Sequence, residues 1–222
     1  MENIAIVGQG AIGTALADSI RKEYPKANIN IFSRKHENID YYDEYSIAAA
    51  SEKTSELNLV IVATGILHTP EIKPEKSIKD INPENLQKVY YINTILPLLI
   101  AKYFMPKLSK KDRAIFTAIS ARVGSISDNR LGGWYAYRAS KAALNMVMKN
   151  LAVEFNRFNK NIIVAGLHPG TVASNLSAPF QANVTELFTP EYSAGKMLEV
   201  INQLSSSSSG KCFAWDGSEI LA

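Results

Sequence analysis

Three closely spaced glycines near the N-terminus constrain the fold of this chain more than any other feature. They occupy Gly8–Gly13 in the pattern G-x-G-x-x-G, between a short apolar run, Asn3–Val7, and a helical pattern from Ile12 to Tyr24. A second apolar run, Ile29–Phe32, completes the order strand, turn, helix, strand. Since parallel strands need a crossover connection, this order predicts a parallel sheet with helices on both faces.

Alternating strand and helix patterns continue along the rest of the 222 residues. The further expected strands are Ile39–Tyr42, Leu59–Ala63, Ala114–Ile119, Ile162–Leu167 and Cys212–Trp215, and the further expected helices are Ile47–Leu57, Pro83–Leu108, Tyr137–Phe158 and Ser193–Leu204. Because no composition shift marks a boundary, we expect one α/β domain spanning 1–222. Its predicted fold class is a doubly wound, Rossmann-type domain with a mainly parallel sheet of about seven strands, flanked by helices on both faces.

Composition argues against several classes of protein. The formal net charge is only +3, which favours neither nucleic acid nor an anionic membrane as a partner. The longest apolar runs, Leu57–Leu67 and Ile95–Ala101, are too short to cross a bilayer. Cys212 is the only cysteine, so no intramolecular disulfide is possible, and the three histidines lack metal-ligand spacing. Since the N-terminus shows no secretory pattern, we expect a soluble, cytoplasmic protein without a bound metal.

The position of the glycine motif indicates a dinucleotide site. Glycines there let the backbone turn sharply and approach a pyrophosphate, and the helix N-terminus adds unpaired N–H groups. The alternative is an ordinary tight turn between strand and helix. An NAD site would carry an acid after the second strand, but Ser33, Arg34 and Lys35 stand there. Arg34 can hold a 2′-phosphate, so the sequence favours NADP(H) over NAD(H), unless these charges are merely solvated.

A candidate catalytic group lies in the second half of the chain. Tyr137 and Lys141 are four residues apart on a predicted helix and therefore project from one face. An ammonium beside a phenol lowers the pKa of the phenol, so that the tyrosine can exchange a proton with a carbonyl or alcohol oxygen. Ser120, at the end of a predicted strand, can hydrogen-bond the same oxygen. A Tyr-x-x-x-Lys pair alone is common by chance, but the ordered set of motifs is not.

Together these motifs resemble the short-chain dehydrogenases/reductases over essentially the whole chain. By that resemblance the catalytic residues are Asn93, Ser120, Tyr137 and Lys141, with Asn93 helping to place the lysine and a relay water. The resulting set of cofactor-binding candidates is Gly8, Gln9, Gly10, Ile12, Gly13, Ser33, Arg34, Lys35, Ala63, Thr64, Gly65, Tyr137, Lys141, Pro169, Gly170, Val172 and Ser174. Asp43 is a further candidate, for a contact with the adenine.

Within this family the stretches Ser120–Gly124 and Asp128–Trp134 are similar to the C-factor-like branch. The resemblance implies a homodimer or homotetramer that interconverts a small carbonyl compound and its alcohol with NADP(H). Two departures concern the cofactor. The first turn is one residue shorter than the usual form, and Ala63-Thr64-Gly65 replaces the usual Asn-Asn-Ala-Gly.

Two other functions remain open on the sequence. A nucleotide-binding signalling or sensor protein with little turnover would use the same fold, although it would not need a tuned phenol. A sugar-nucleotide epimerase or dehydratase would need a larger substrate domain than the segment after Gly170 provides.

No sequence motif marks the substrate side of the site, so its residues are predicted from the position and length of two loops. The long loop between Ser120 and Tyr137 is expected to place Arg122, Asn129 or Trp134 at the mouth of the site, and a lid over 175–189 is expected to select the substrate. Aromatic candidates for an apolar pocket are Trp134, Tyr135, Phe180 and Phe188. Each of them would serve equally well to pack the lid against the sheet.

Overall fold

The computed structural model describes residues 1–35, 39–182, 184 and 186–221, and within them seven strands form one sheet. The strands are β1 Asn3–Val7, β2 Asn28–Phe32, β3 Leu59–Val62, β4 Ala114–Ile119, β5 Ile162–His168, β6 Lys211–Ala214 and β7 Glu219–Ile220. Their order across the sheet is β2-β1-β3-β4-β5-β6-β7, parallel throughout except for β7, which pairs antiparallel with β6. The predicted fold class is confirmed.

Six α-helices connect these strands in the described part of the chain. They are α1 Ala11–Glu23, α2 Glu44–Glu52, α3 Pro83–Tyr90, α4 Leu96–Phe104, α5 Tyr135–Phe158 and α6 Pro190–Gln203. Helices α1 and α6 cover one face of the sheet, and α2, α4 and α5 cover the other. The long helix expected from Pro83 is therefore present as α3 and α4, which a π turn at Tyr91–Ile95 joins.

The central strands are mostly apolar because both of their faces are buried. Along β4, Phe116 belongs to the core beneath α4 and α5, whereas its neighbour Ile115 belongs to the core beneath α1 and α6. The same alternation occurs in β1 and β3. A sheet covered on both sides needs no polar alternation, which is why these strands were recognisable as short apolar runs.

The strand expected at Ile39–Tyr42 is wrong. Ile39 and Tyr41 are buried in the core, but the chain forms a turn there, in which the Asp40 carboxylate accepts a hydrogen bond from the Tyr42 N–H at 2.9 Å. Apolar side chains that anchor a turn produce the same alternation as a strand. The seventh strand is β7 instead, whose two residues are too few to give a periodic signal.

The first turn of the fold depends on two glycines at which a side chain would not fit. Gly8 has a φ of +111°, and a Cβ there would lie 2.8 Å from the backbone carbon of Ala63. A Cβ on Gly13 would lie 2.0 Å from the carbonyl oxygen of Gly8. This contact holds the start of α1 directly against the end of β1. By contrast, Gly10 has a φ of −80°, and a Cβ there would meet no atom within 4 Å.

We expect Gly13→Ala to lower the free energy of unfolding by about 2 kcal/mol or more, because the new methyl group displaces the Gly8 carbonyl. The matched variant Gly10→Ala adds the same methyl group in open space, so its stability should stay within about 0.5 kcal/mol of the wild type. Urea unfolding followed by circular dichroism measures both. Equal midpoints for the two variants would contradict this account of the turn.

Candidate active site

A cleft of about 920 Å³ lies at the carboxyl ends of the central strands. In a doubly wound sheet this edge is where ligands bind, because the loops after neighbouring parallel strands meet there. Predicted site residues that line the cleft are Gly10, Ile12, Ala63, Thr64, Gly65, Ser120, Tyr137, Lys141, Pro169, Gly170, Val172 and Ser174. The fold thus brings together segments that are up to about 160 residues apart in the chain.

Tyr137 and Lys141 lie on one face at the start of α5, as their spacing predicts. The Lys141 Nζ lies 5.8 Å from the centre of the Tyr137 ring and donates a hydrogen bond to the Ile119 carbonyl at 2.8 Å. Burial raises the pKa of Tyr137 to about 12 and lowers that of Lys141 to about 8. The expected lowering of the Tyr137 pKa by Lys141 is therefore not found, because burial of the phenol raises its pKa instead.

Ser120 is buried at the end of β4, and its Oγ donates a hydrogen bond to the Oδ1 of Asn145 at 2.7 Å. Asn145 stands one further turn along α5, so Tyr137, Lys141 and Asn145 form a stripe with a spacing of four. The sequence analysis missed Asn145, although this spacing was a signal for it. The contact fixes the orientation of the Ser120 hydroxyl beside the cleft.

Asn93 lies behind the cleft in the π turn and is fully buried. Its side chain accepts a hydrogen bond from the Ile66 N–H at 2.8 Å and donates one to the Ile66 carbonyl at 2.9 Å. Its amide also donates to the Ser140 Oγ on α5 at 3.1 Å. Asn93 therefore ties the loop after β3 to the helix that carries Tyr137. Pro97 cannot donate to the carbonyl of Asn93, which explains why the helix widens here.

The N-terminus of α5 is capped by a residue that no local sequence motif indicates. Trp134, the residue before the helix, provides no side-chain cap. The carboxylate of the buried Glu75 instead accepts a hydrogen bond from the Ala136 N–H at 3.2 Å. A negative charge at a helix N-terminus is stabilising, so Glu75 helps to hold the first turn of the helix, and with it Tyr137.

The N-terminus of α1 forms one end of the cleft. Its N-cap is Gly10, which makes no side-chain capping hydrogen bond. Gly10, Ala11 and Ile12 line the cleft there, so unpaired N–H groups of the first helical turn lie next to open space. Such a terminus binds phosphate groups.

The remaining candidates on this side lie outside the lining of the cleft: Gly8, Gln9, Gly13, Ser33, Arg34, Lys35 and Asp43. The Ser33 Oγ donates to the Gln9 Oε1 at 3.0 Å, which links the glycine turn to the end of β2. Arg34 and Lys35 are exposed at that end. The carboxylate of Asp43 caps α2 by accepting from the Tyr45 N–H at 2.9 Å, a structural use that the sequence analysis did not foresee.

The loop after β5 forms one wall of the cleft. Gly170 has a φ of +76°, and a Cβ there would lie 2.5 Å from the ring of Phe188, so the loop packs tightly on this aromatic residue. The Ser193 Oγ donates to the Pro169 carbonyl at 2.6 Å and anchors the loop to α6. Val172 is buried and pairs with Phe188 in a short bridge. Residues 183 and 185 of the expected lid lie outside the described residues.

Two of the three residues expected at the mouth are found there. Arg122 and Trp134 line the cleft. Asn129 does not, because its Oδ1 accepts a hydrogen bond from the Gly132 N–H at 3.0 Å and closes a turn. The Trp134 ring lies edge-on to Phe180, with ring centres 5.0 Å apart. Trp134 and Phe180 thus form an aromatic wall.

The other two aromatic candidates, Tyr135 and Phe188, do not line the main cleft. Tyr135 is partly exposed at the start of α5. Phe188 packs against Trp215, with ring centres 4.6 Å apart, and supports the loop instead.

His168 lies at the end of β5 and also lines the cleft. Within the described chain, its Nδ1 is buried without a hydrogen-bond partner. Burial, together with the smaller effect of the positive charge of Arg122, lowers its pKa to about 4. His168 is therefore neutral near pH 7.

Neither a membrane-spanning helix nor a metal site is found among the described residues. No helix in 1–35, 39–182, 184 and 186–221 is long and apolar enough to cross a bilayer. No three His, Cys, Asp or Glu side chains in the same ranges lie close enough together to hold a metal ion. His36, one of the three histidines, lies outside these ranges.

Comparison with known proteins agrees with the fold. A family model described as short chain dehydrogenase matches residues 13–185. A curated relative, the 1-hydroxy-2-glutathionyl-2-methyl-3-butene dehydrogenase of Rhodococcus sp. (strain AD45), is 29% identical over 179 residues, which are 81% of this chain and 76% of that protein. The C-signal protein of Myxococcus xanthus is 30% identical over 144 residues, 65% of this chain and 82% of that protein.

Solved structures show the same architecture. The NADPH-bound carbonyl reductase from chicken fatty liver superposes with a TM-score of 0.80 at 25% identity, covering 100% of this chain and 94% of that one. The carbonyl reductase Sniffer of D. melanogaster superposes with a TM-score of 0.82 at 22% identity, covering both chains fully.

A Rossmann-type sheet with a tyrosine–lysine pair at its carboxyl edge defines a class of NAD(P)-dependent oxidoreductases. This chain belongs to the short-chain dehydrogenase family, since the family model covers more than half of its length. The resemblance predicted from the sequence is confirmed, and so is the relation to the C-factor-like branch, of which C-signal is a relative.

The neutral state of His168 makes a prediction for acid stability. Its pKa is about 4 in the folded protein and 6.5 in an exposed histidine, so between these values the unfolded chain binds a proton that the folded chain does not. The free energy of unfolding should therefore fall as the pH decreases from 6.5 to 4. The loss from this group is about 3 kcal/mol, at about 1.4 kcal/mol for each unit of pKa.

His168→Asn removes the titrating group and should make the decline between pH 6.5 and pH 4 shallower than in the wild type. Urea unfolding at several pH values measures the two slopes. Their difference, rather than the absolute stabilities, is the readout, because the substitution also changes packing. Parallel slopes would show that His168 does not titrate in this way.

Proposed function

We propose that this protein is an NADPH-dependent reductase of small carbonyl compounds, with Tyr137 as the group that delivers the proton. The observation that carries the proposal is the convergence of Ser120, Tyr137 and Lys141 on one cleft, with the N-terminus of α1 at its other end. A pure nucleotide-binding protein needs the helix terminus but not a buried phenol beside a buried ammonium.

The cofactor end of the cleft fits an extended dinucleotide. Gly10 leaves room for a close approach to the backbone, and the first N–H groups of α1 suit a pyrophosphate. Arg34 and Lys35 place positive charge at the end of β2, where a 2′-phosphate needs it and where an NAD enzyme carries an acid. When the whole dinucleotide is bound in the cleft, its nicotinamide would supply the hydride that reduces the carbonyl carbon.

The proton side of the reaction falls to this chain's own residues. The phenol of Tyr137, whose pKa burial raises to about 12, keeps its proton at neutral pH and can give it to the substrate oxygen. Ser120 lies beside that oxygen with its hydroxyl oriented by Asn145. Lys141 brings a positive charge next to Tyr137, which favours the phenolate that proton donation leaves behind. Asn93 keeps the neighbouring loop and α5 in place.

Relatives support the proposal. The chicken carbonyl reductase, which is 25% identical, has NADPH bound, and the Rhodococcus relative is named as a dehydrogenase. The similarity to C-signal favours a second candidate, a signalling protein with little turnover. Turnover of a carbonyl panel separates the two, since a signalling protein would bind the cofactor without consuming it.

The proposal includes a homodimer or homotetramer. Helices α4 and α5 carry four apolar side chains that are between 44% and 60% exposed, namely Ile95, at the α4 N-cap, with Leu98, Met146 and Val153. Apolar side chains grouped on two helices are typical of an interface between subunits.

Tyr137→Phe should bind NADPH within about threefold of the wild type and lose turnover by about a hundredfold to ten thousandfold, because only the proton donor is removed. Tyr135→Phe removes a hydroxyl from a partly exposed tyrosine two residues away and is the matched control. The assay is the loss of NADPH absorbance with a panel of benzaldehydes. Undiminished turnover of Tyr137→Phe would overturn the assignment of Tyr137.

Arg34→Gln should weaken NADPH binding about tenfold to a hundredfold and leave NADH binding nearly unchanged, because one charged hydrogen bond to the 2′-phosphate is lost. Lys26→Gln removes an exposed positive charge from the turn after α1 and should change neither affinity. Isothermal calorimetry measures the six dissociation constants of the wild type and the two variants for NADPH and NADH. If wild-type protein binds NADH as tightly as NADPH, the role given to Arg34 is wrong while the fold stands.

A further inference from the structure

The charges that line the main cleft are all positive in the described part of the chain. The lining contains Arg122, Arg138 and Lys141 and, among the described residues, no carboxylate. Lys141 is buried and donates to the Ile119 carbonyl. The Arg138 Nε donates to the Gly132 carbonyl at 3.1 Å and thereby holds the loop before α5. Arg122 is the cation of this set that makes no hydrogen bond to the backbone in the described structure.

Arg122 lies close to Ser120 in the chain. It follows Ser120 by two residues, so their Cα atoms are at most about 7 Å apart. It lines the main cleft and also a side cavity of about 330 Å³ that contains His168 and Trp215. The positive charge of Arg122 lowers the pKa of both His168 and Asp216, so it acts on groups at this side of the site.

The ion pair that Arg122 makes in the structure is loose. Its Nη1 lies 3.4 Å from the Oδ2 of Asp128, and both side chains are about half exposed. Pairs of this kind contribute about 0–1 kcal/mol, since water competes for both partners. The planar guanidinium can therefore turn from Asp128 to a ligand and make the stronger two-point contact with a carboxylate.

The cleft that Arg122 lines also has large apolar side chains in its lining, namely Leu131, Trp134, Leu176, Phe180 and Val184. Trp134 has a φ of +49°, a left-handed conformation that costs about 1–2 kcal/mol outside glycine. It follows Gly132 and Gly133, with φ values of +62° and +61°. The loop before α5 therefore carries backbone strain at Trp134, and this strained conformation places the ring in the aromatic wall.

From this arrangement we propose that the substrates are acidic carbonyl compounds, with an apolar body between the carbonyl group and a carboxylate that Arg122 binds. The proposal rests on the reductase function proposed above and names its substrate class. The carbonyl oxygen lies at Ser120 and Tyr137, the apolar body lies against Trp134 and Phe180, and the anion lies at the guanidinium of Arg122. Arg122 then acts on specificity and not on proton transfer.

The test compares two aldehydes of nearly the same shape, 4-carboxybenzaldehyde and its methyl ester, methyl 4-formylbenzoate. The wild type should favour the acid over the ester at least tenfold in kcat/KM, mainly through KM, because a charged contact is gained. The preference should fall at least tenfold in Arg122→Gln. In Arg130→Gln, which removes an exposed positive charge from the same loop, it should stay within twofold.

Binding gives a second readout that does not need turnover. Calorimetry with 4-(hydroxymethyl)benzoate and its methyl ester, in the presence of NADPH, which cannot react with an alcohol, should show the same preference and the same loss in Arg122→Gln. If neither aldehyde is reduced but this preference is present, the reductase function fails and the anion site stands. If the aldehydes are reduced without any preference for the acid, or if Arg122→Gln keeps the preference, the proposal for Arg122 is overturned.

Discussion

The contact between the backbone of Gly13 and the carbonyl of Gly8 is the constraint on which the active-site cleft depends. It lets α1 begin immediately after β1, so that the helix terminus faces the loop at Ala63 rather than solvent. A methyl group on Gly13 would displace the Gly8 carbonyl, and one on Gly8 would displace the backbone of Ala63, so either would disturb the cofactor end of the cleft.

Helix α5 provides the other half of the site. Its first turns carry Tyr137, Lys141 and Asn145 on one face, each of which contacts a different neighbour: the cleft, the Ile119 carbonyl and the Ser120 hydroxyl. Burying an ammonium and a phenol together is costly, as the lowered pKa of Lys141 and the raised pKa of Tyr137 show. Active sites accept this cost because a buried pair responds strongly to any charge that forms beside it.

Much of the fold could be predicted from the sequence, because strands buried on both faces and helices of regular period leave clear patterns. The turn at Ile39–Tyr42 misled the prediction since buried side chains mark a core position and not a conformation. The spacing of four along α5 pointed to Asn145, but its hydrogen bond with Ser120 joins residues 25 positions apart and was recognisable only in space. The capping of α5 by Glu75 joins residues 61 positions apart, so no local motif announces it. The pKa of Tyr137 depends on how deeply the ring is buried, and spacing along a helix does not encode depth.

The left-handed loop before α5 has a consequence for how this protein can change. A glycine at Trp134 would relieve the backbone strain but would also remove the ring that lies against Tyr137 and Phe180. The tryptophan therefore exchanges backbone strain for a defined shape of the cleft. In directed evolution, variants that gain thermal stability at this position should be the ones that accept bulkier compounds and discriminate less among them.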